Sequence, residues 1–368
     1  MYFIDDFRES ICNQYGIIYT KTYLSWLFCA MPKTLKRGNL MKRIIIIFTG
    51  GTISMKTDEE NNSAAVPSMN GEDILKLTPG IESIATIDLF NFAMLPGPHI
   101  TPEKMLQLSN FIQHKISFEG YDGVVVTHGT DSLEETSYLV DLLYSGEKPI
   151  IFVGSMRNSS QLGWDGPSNL IDAVRTAASD ESKNRGVMVV MNGEIHSASQ
   201  VTKTNTHTLD TFKSLDFGPI GSIDNNKVCF HFSYTKREYI GAKKINSNID
   251  LIKCGCGMDD RLLKFCVDSK TSGIIIEGMG RGNIPPTMVP GIEYAINQGI
   301  PVILVSRCLM GKVLDDYGYE GAGRELTDKG VILGDNLPGQ KARVKLMVAL
   351  GFTSSLREIK KIFEEGHY

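Results

Sequence analysis

The sequence predicts an α/β fold, and three observations carry that reading. Continuous apolar runs rich in β-branched residues recur along the chain: Ile44–Phe48, Gly123–Val126, Pro149–Val153, Gly186–Met191, Ser272–Glu277 and Pro301–Val305. Runs without polar alternation are strands buried on both faces, as in a parallel sheet. Helical stretches alternate with them, notably Leu133–Leu143 and Leu170–Ala178, as βαβ units require. The length of 368 residues suggests two or three domains and is enough to bury a core without disulfides or a metal.

Composition removes several function classes. Lys plus Arg is 38 and Asp plus Glu is 42, so the net charge of −4 offers no basic field for nucleic acid. No apolar run approaches the roughly 20 residues that span a bilayer. The seven cysteines are odd in number and scattered, which fits a reducing cytoplasm better than a disulfide framework. Cys254 and Cys256 lack a second close Cys or His pair, so no metal is expected. Residues 1–40 read as an extension: Tyr23–Met31 is apolar, but Asp5, Asp6 and Glu9 stand where a secretory signal has basic residues. The first folded element is expected just after Met41.

The first strand, Ile44–Phe48, runs into Thr49-Gly-Gly-Thr-Ile53. Two glycines permit a tight turn and close backbone approach to a ligand. The pattern is neither GxGxxG nor a P-loop, so nucleotide binding is not indicated. The next strand, Gly123–Val126, runs into Thr127-His-Gly-Thr-Asp-Ser132 and then the helix from Leu133. Ser132 and Glu135 stand in capping-box spacing, which puts Thr130 and Asp131 at a helix amino end. Unpaired N–H groups and the positive end of the dipole favour negative charge there. Ligands of open parallel sheets bind beyond the carboxyl ends of the strands. If these two strands are neighbours, Thr52 and Thr130 face one crevice, with Asp131 and several N–H groups: parts for nucleophilic acyl chemistry. Each loop taken alone reads more readily as threonines that cap or stiffen a turn. Downstream, Lys203 lies in the hydroxyl-rich Val201–Thr206. A lysine desolvated in a crevice loses basicity and can act as a general base, whereas a lysine in isolation is usually a solvated surface charge.

Taken together, Thr49–Ile53, Thr127–Asp131 with Glu134–Thr136, Gly154–Arg157 with Asp165–Pro167, Arg185–Val187, Val201–Asn205, Phe212–Ser214, Gly280–Asn283 and Gln340–Arg343 resemble the bacterial-type L-asparaginases of the asparaginase/glutaminase family. The resemblance covers about residues 42–368. It implies a larger amino-terminal domain on a mostly parallel sheet (41–235), a linker (236–248) and a smaller carboxyl-terminal α/β domain (249–368). It implies hydrolysis of the asparagine side-chain amide to aspartate and ammonia, without cofactor. By position, Thr52 matches the threonine that forms the acyl-enzyme, and Thr130, Asp131 and Lys203 match the second threonine and its charged pair; the sequence does not fix which threonine attacks first. Gly51, Gly97, Pro98, Gly129, Asp131 and Asn283 fall at substrate-binding positions. Asp131 is expected to face the substrate's α-ammonium. Asn283 is expected to enter the site of a neighbouring protomer, which implies a homodimer or homotetramer.

Two departures from the family pattern stand out. Secreted members hold the substrate α-carboxylate with an adjacent Ser and Gln, where this chain has Gly97 and Pro98. Gly97 offers only a backbone N–H and Pro98 no donor, leaving His99 or Thr101 to compensate. The tyrosine that helps activate the first threonine should fall near Ala65, but no tyrosine occurs from Lys42 to Gly120; Tyr317 and Tyr319 are alternatives. The polar stretch Lys56–Ser63 reads as an active-site lid. The leading expectation is a cytoplasmic asparaginase. Glutamine or a larger amide as substrate, a catalytically poor binding protein, and the amidase component of a transamidase acting on aminoacyl-tRNA are its rivals.

Overall fold

A computed structural model describes residues 41–58, 64–232 and 237–364. In chain order the first domain comprises β1 (Arg43–Gly50), β2 (Met55–Asp58), β3 (Ala64–Pro67), α1 (Gly71–Lys76), β4 (Thr86–Leu95), α2 (Pro102–Phe118), β5 (Gly123–Thr127) and α3 (Leu133–Leu143). It continues through β6 (Ile150–Val153), α4 (Gly166–Ala178), β7 (Val187–Met191), β8 (Glu194–Ser197), β9 (Thr202–Lys203), β10 (Phe212–Lys213), β11 (Gly221–Asp224) and β12 (Lys227–Phe230).

Eight of these strands form one sheet in the order β12-β11-β8-β7-β6-β5-β1-β4. The pairs from β4 to β7 are parallel, and β8, β11 and β12 add an antiparallel arm. The isoleucines of β1 and the valines of β5 are fully buried, as runs without alternation require. From β1 the chain goes to β4 on one side and then to β5 on the other. That reversal of strand order is a topological switch point, where adjacent loops part and leave a crevice.

The second domain holds β13 (Ile249–Lys253), α5 (Arg261–Asp268), β14 (Gly273–Gly278), α6 (Val289–Asn297), β15 (Val302–Ser306), α7 (Gly323–Asp328), β16 (Ile332–Leu333), α8 (Gly339–Phe352) and α9 (Leu356–Glu364). Its four strands form a parallel sheet in sequence order. In α9, Ile359 and Phe363 are buried, four residues apart on one face. The two domains share a core: Tyr138, Leu139 and Leu142 of α3 pack with Ile249, Ile275, Ile303, Val344 and Leu346. Helix α8 therefore lies against α3, the helix that follows Thr130 and Asp131. Among the described residues, no helix is long and apolar enough to cross a membrane.

Candidate active site

Three loops meet at the carboxyl ends of β4, β1 and β5, and glycine lets their backbones touch. Strand β1 ends in Gly50 and Gly51, with φ of 106° and 84°, values that disfavour any side chain. A Cβ on Gly51 would lie 2.4 Å from the Gly129 Cα, and one on Gly129 would lie 2.7 Å from the Gly97 Cα. The Gly51 N–H donates to Leu95 O at 3.0 Å, and Thr49 Oγ1 donates to Thr127 O at 2.8 Å, tying the loops laterally. Strands β1 and β5 are parallel neighbours with Phe48 opposite Thr127, so the loops carrying Thr52 and Thr130 leave adjacent strands. Thr52 opens a short 3-10 turn, Thr52–Ser54, and is half-buried.

Thr130 and Asp131 sit ahead of α3, where helix N–H groups lack intrahelical acceptors. The Ser132–Glu135 capping box expected from spacing does not form. Ser132 is the N-cap residue, but its Oγ donates to Gly97 O at 2.7 Å. The hydroxyl thus joins two of the three glycine loops instead of capping the helix, because Gly97 and Gly129 bring that carbonyl within reach. Glu135 is burdened by burial and by the neighbouring charge of Glu134, which push its carboxyl up to about 6 against the pull of Arg343.

Lys203 Nζ donates to Thr130 Oγ1 at 3.0 Å and to Asp131 Oδ1 at 2.7 Å. The lysine side chain is 16% exposed while that of Asp131 is 62% exposed. The ammonium is therefore mostly shielded, and the carboxylate keeps an open side on which a cationic ligand group can land. Thr130 itself is buried, and a Cβ on Gly154 would come within 3.1 Å of its Cγ2. The neighbouring His128 plays no part at this surface. It is fully buried, burial pushes it down to about 4, and its Nδ1 lies 2.9 Å from Gly129 O. A neutral ring donating from Nδ1 to that carbonyl braces the loop from behind.

Gly97 is buried and opens a 3-10 turn, Gly97–His99, while Pro98 and His99 are exposed. Strands β2 and β3 form a hairpin beside the site, with Thr57 opposite Ala65. The Thr57 N–H donates to Ser160 Oγ at 3.0 Å, and the Ser159 hydroxyl donates to Met55 O at 2.9 Å. Of the expected lid, Lys56–Asp58 lie in β2, and residues 59–63 lie outside the described residues. Tyr317 and Tyr319 are surface residues of the second domain with ring centroids 5.9 Å apart. Asn283 belongs to the turn after β14, where its backbone pairs with Met279 and its Oδ1 is buried without a hydrogen-bond partner.

Sequence reasoning assigned no role to Glu134. Its Oε1 accepts from the Lys203 N–H at 3.5 Å, and its Oε2 accepts from Gln340 Nε2 at 3.3 Å. One buried carboxylate thus joins α3, the Lys203 strand and α8 of the second domain. A polar cleft lined by Thr202, Lys203, Glu277, Arg307, Asn336 and Gln340 lies beside it. Among the described residues, no cluster of three or more His, Cys, Asp or Glu is placed to hold a metal ion.

Two family models match the chain: the asparaginase amino-terminal domain over residues 43–236 and the glutaminase/asparaginase carboxyl-terminal domain over residues 248–363. An L-asparaginase of Bacillus licheniformis is 37% identical over 309 residues, 84% of this chain and 95% of that protein. A component of the glutamyl-tRNA(Gln) amidotransferase of Pyrococcus furiosus is 35% identical over 335 residues, 87% of this chain and 74% of that protein. The crystal structure of a probable cytoplasmic L-asparaginase from Campylobacter jejuni superposes with a TM-score of 0.79 at 32% identity, covering 88% of this chain and 99% of that one. The chain belongs to the asparaginase/glutaminase family of amidohydrolases.

Proposed function

We propose that the protein hydrolyses the side-chain amide of L-asparagine to L-aspartate and ammonia through a threonine acyl-enzyme. The observation that carries the reading is the contact of Lys203 Nζ with both Thr130 Oγ1 and Asp131 Oδ1, one strand away from Thr52. A threonine hydroxyl is a weak nucleophile and needs a proton acceptor within hydrogen-bond reach. In this scheme Thr52 Oγ bonds to the amide carbon and the C–N bond breaks. The Thr130–Lys203 pair moves the proton, which leaves with ammonia. Water then cleaves the ester, releasing aspartate and restoring the hydroxyl. Backbone N–H groups of the loops after β1 and β5, such as that of Gly129, stabilise the oxyanion, and the exposed face of Asp131 receives the α-ammonium. No cofactor enters the scheme.

A role within an amidotransferase is the second reading, supported by the 35% identity to a component of one. The match spans 74% of that protein against 95% of the Bacillus asparaginase, and the net charge of −4 offers tRNA no basic field. Both points favour free asparagine. Release of free ammonia from asparagine, against transfer of the amide nitrogen to a glutamyl ester, separates the readings. Thr52→Ala and Thr130→Val are each expected to lower asparagine turnover by several orders of magnitude with the fold intact. Near-normal turnover in either variant removes that threonine from the scheme.

A further inference from the structure

We propose that Lys341, in the first turn of α8 in the second domain, is a positioning residue for Lys203. Its side chain is fully buried, and its Nζ donates to three backbone carbonyls of the first domain: Ala198 at 2.7 Å, Ser199 at 3.1 Å and Val201 at 2.5 Å. Those carbonyls belong to the turn between β8 and β9, which ends two residues before Lys203. Three acceptors converging on one ammonium fix the turn against α8. Of its own backbone bonds, Gln200 N and Val201 N to Ser197 O at 3.2 and 3.1 Å close it on itself, and Ala198 N to Val187 O at 2.9 Å ties its start to β7.

The preceding residue of α8, Gln340, donates to Glu134 Oε2, and Glu134 Oε1 accepts from the Lys203 N–H. The first turn of α8 thereby grips the Lys203 segment at both ends: Lys341 at its start and Gln340, through Glu134, at Lys203 itself. A buried lysine is costly unless its donors are all used. Burial pushes Lys341 down to about 8, while Glu134 and Asp141 pull it back up. A hydrocarbon side chain would fill the same space without that cost. The carbonyl cradle gives the ammonium a purpose: a small displacement of a reacting group costs large factors in rate.

The inference rests on the proposed role of Lys203 and is tested by a double-mutant cycle read as kcat and KM for asparagine. Lys341→Met is expected to lower kcat about 10- to 100-fold, with KM changed less than about threefold, because substrate contacts are untouched. Lys341→Gln keeps two N–H donors and is expected to recover part of that loss, and it serves as the assay variant if the Met form does not fold. In a Lys203→Met background either substitution is expected to cost less than about twofold further, since the side chain being positioned is gone. An unchanged kcat in the single variants, or the same fractional loss in both backgrounds, overturns the proposal. Full turnover in Lys203→Met alone overturns the site reading beneath it, so the two failures are distinct.

Discussion

Gly51 and Gly129 approach so closely that a methyl group on the first would sit 2.4 Å from the Cα of the second. The contact places the loop after β1, which carries Thr52, directly against the loop after β5, which carries Thr130 and Asp131. Gly51 also holds φ 84° and ψ −176°, a region essentially reserved for glycine. Gly51→Ala is therefore expected to cost about 1–3 kcal/mol in backbone strain alone. Separating the loops should lower turnover more than 100-fold. Denaturant titration and kcat/KM of the purified variant measure the two effects. A variant of native stability and activity would show that the loops tolerate separation.

The second prediction concerns Lys203. General acid–base assistance is typically worth about 10²–10⁴-fold. Lys203→Met is expected to lower kcat/KM for asparagine by a factor in that range while leaving stability within about 1 kcal/mol, because its ion pair with Asp131 is solvated on the carboxylate side. Initial rates across a range of asparagine concentrations, with thermal melting as the fold control, decide it. Retained turnover removes Lys203 from the proton transfer.

The framework was legible in the sequence where chemistry is local. The isoleucines of β1 and the valines of β5 announce buried strands, and the glycines after them announce open loops. What lay beyond reach depends on distant partners. Ser132 looked like a helix cap by its spacing to Glu135, yet its hydroxyl goes to Gly97, 35 residues away. Glu134 meets Gln340 across 206 residues, and Lys341 meets Val201 across 140, distances at which no periodicity speaks. Strand β4 was not anticipated because its sequence, Thr86–Leu95, mixes polar and apolar residues. As the sheet's edge it is only partly buried and needs no continuous apolar run.

The third prediction concerns acid stability. His128 is held at about 4 in the folded chain against an ordinary value of 6.5, with burial as the main cause. Between those values the unfolded chain binds a proton that the folded chain refuses, so stability rises with pH from about 4 to 6.5 and is lost on acidification through that window. Each unit of such a shift corresponds to about 1.36 kcal/mol. His128→Gln keeps a donor for Gly129 O but does not titrate, and it is expected to flatten the slope of unfolding free energy against pH there. Parallel urea titrations of both proteins at pH 4.5, 5.5 and 6.5 make the comparison. Equal slopes would mean that His128 binds its proton as readily in the folded chain as in the unfolded one.

The last prediction concerns substrate selection, at the two positions where the family resemblance places an α-carboxylate clamp and this chain has Gly97 and Pro98. Gly97 is buried, its carbonyl accepts from Ser132 Oγ, and its Cα rests on the Gly129 loop. A Cβ there would come within 3.3 Å of that Ser132 Oγ, so a side-chain clamp at this position requires the Ser132 hydroxyl to move. Pro98 offers no N–H. Each lost hydrogen bond to an α-carboxylate is worth about 0.5–3 kcal/mol, between about twofold and somewhat over a hundredfold in kcat/KM. Asparagine α-methyl ester is therefore expected to be hydrolysed nearly as well as asparagine. Succinamic acid, which lacks the α-ammonium, should be a poor substrate because Asp131 presents an open carboxylate face to that cation. Gly97→Ser combined with Pro98→Gln restores the clamp residues and should restore rejection of the ester, provided Ser132 yields. Strong rejection of the ester by the unaltered protein would place a carboxylate clamp elsewhere in the site, with His99 and Thr101 the first positions to substitute.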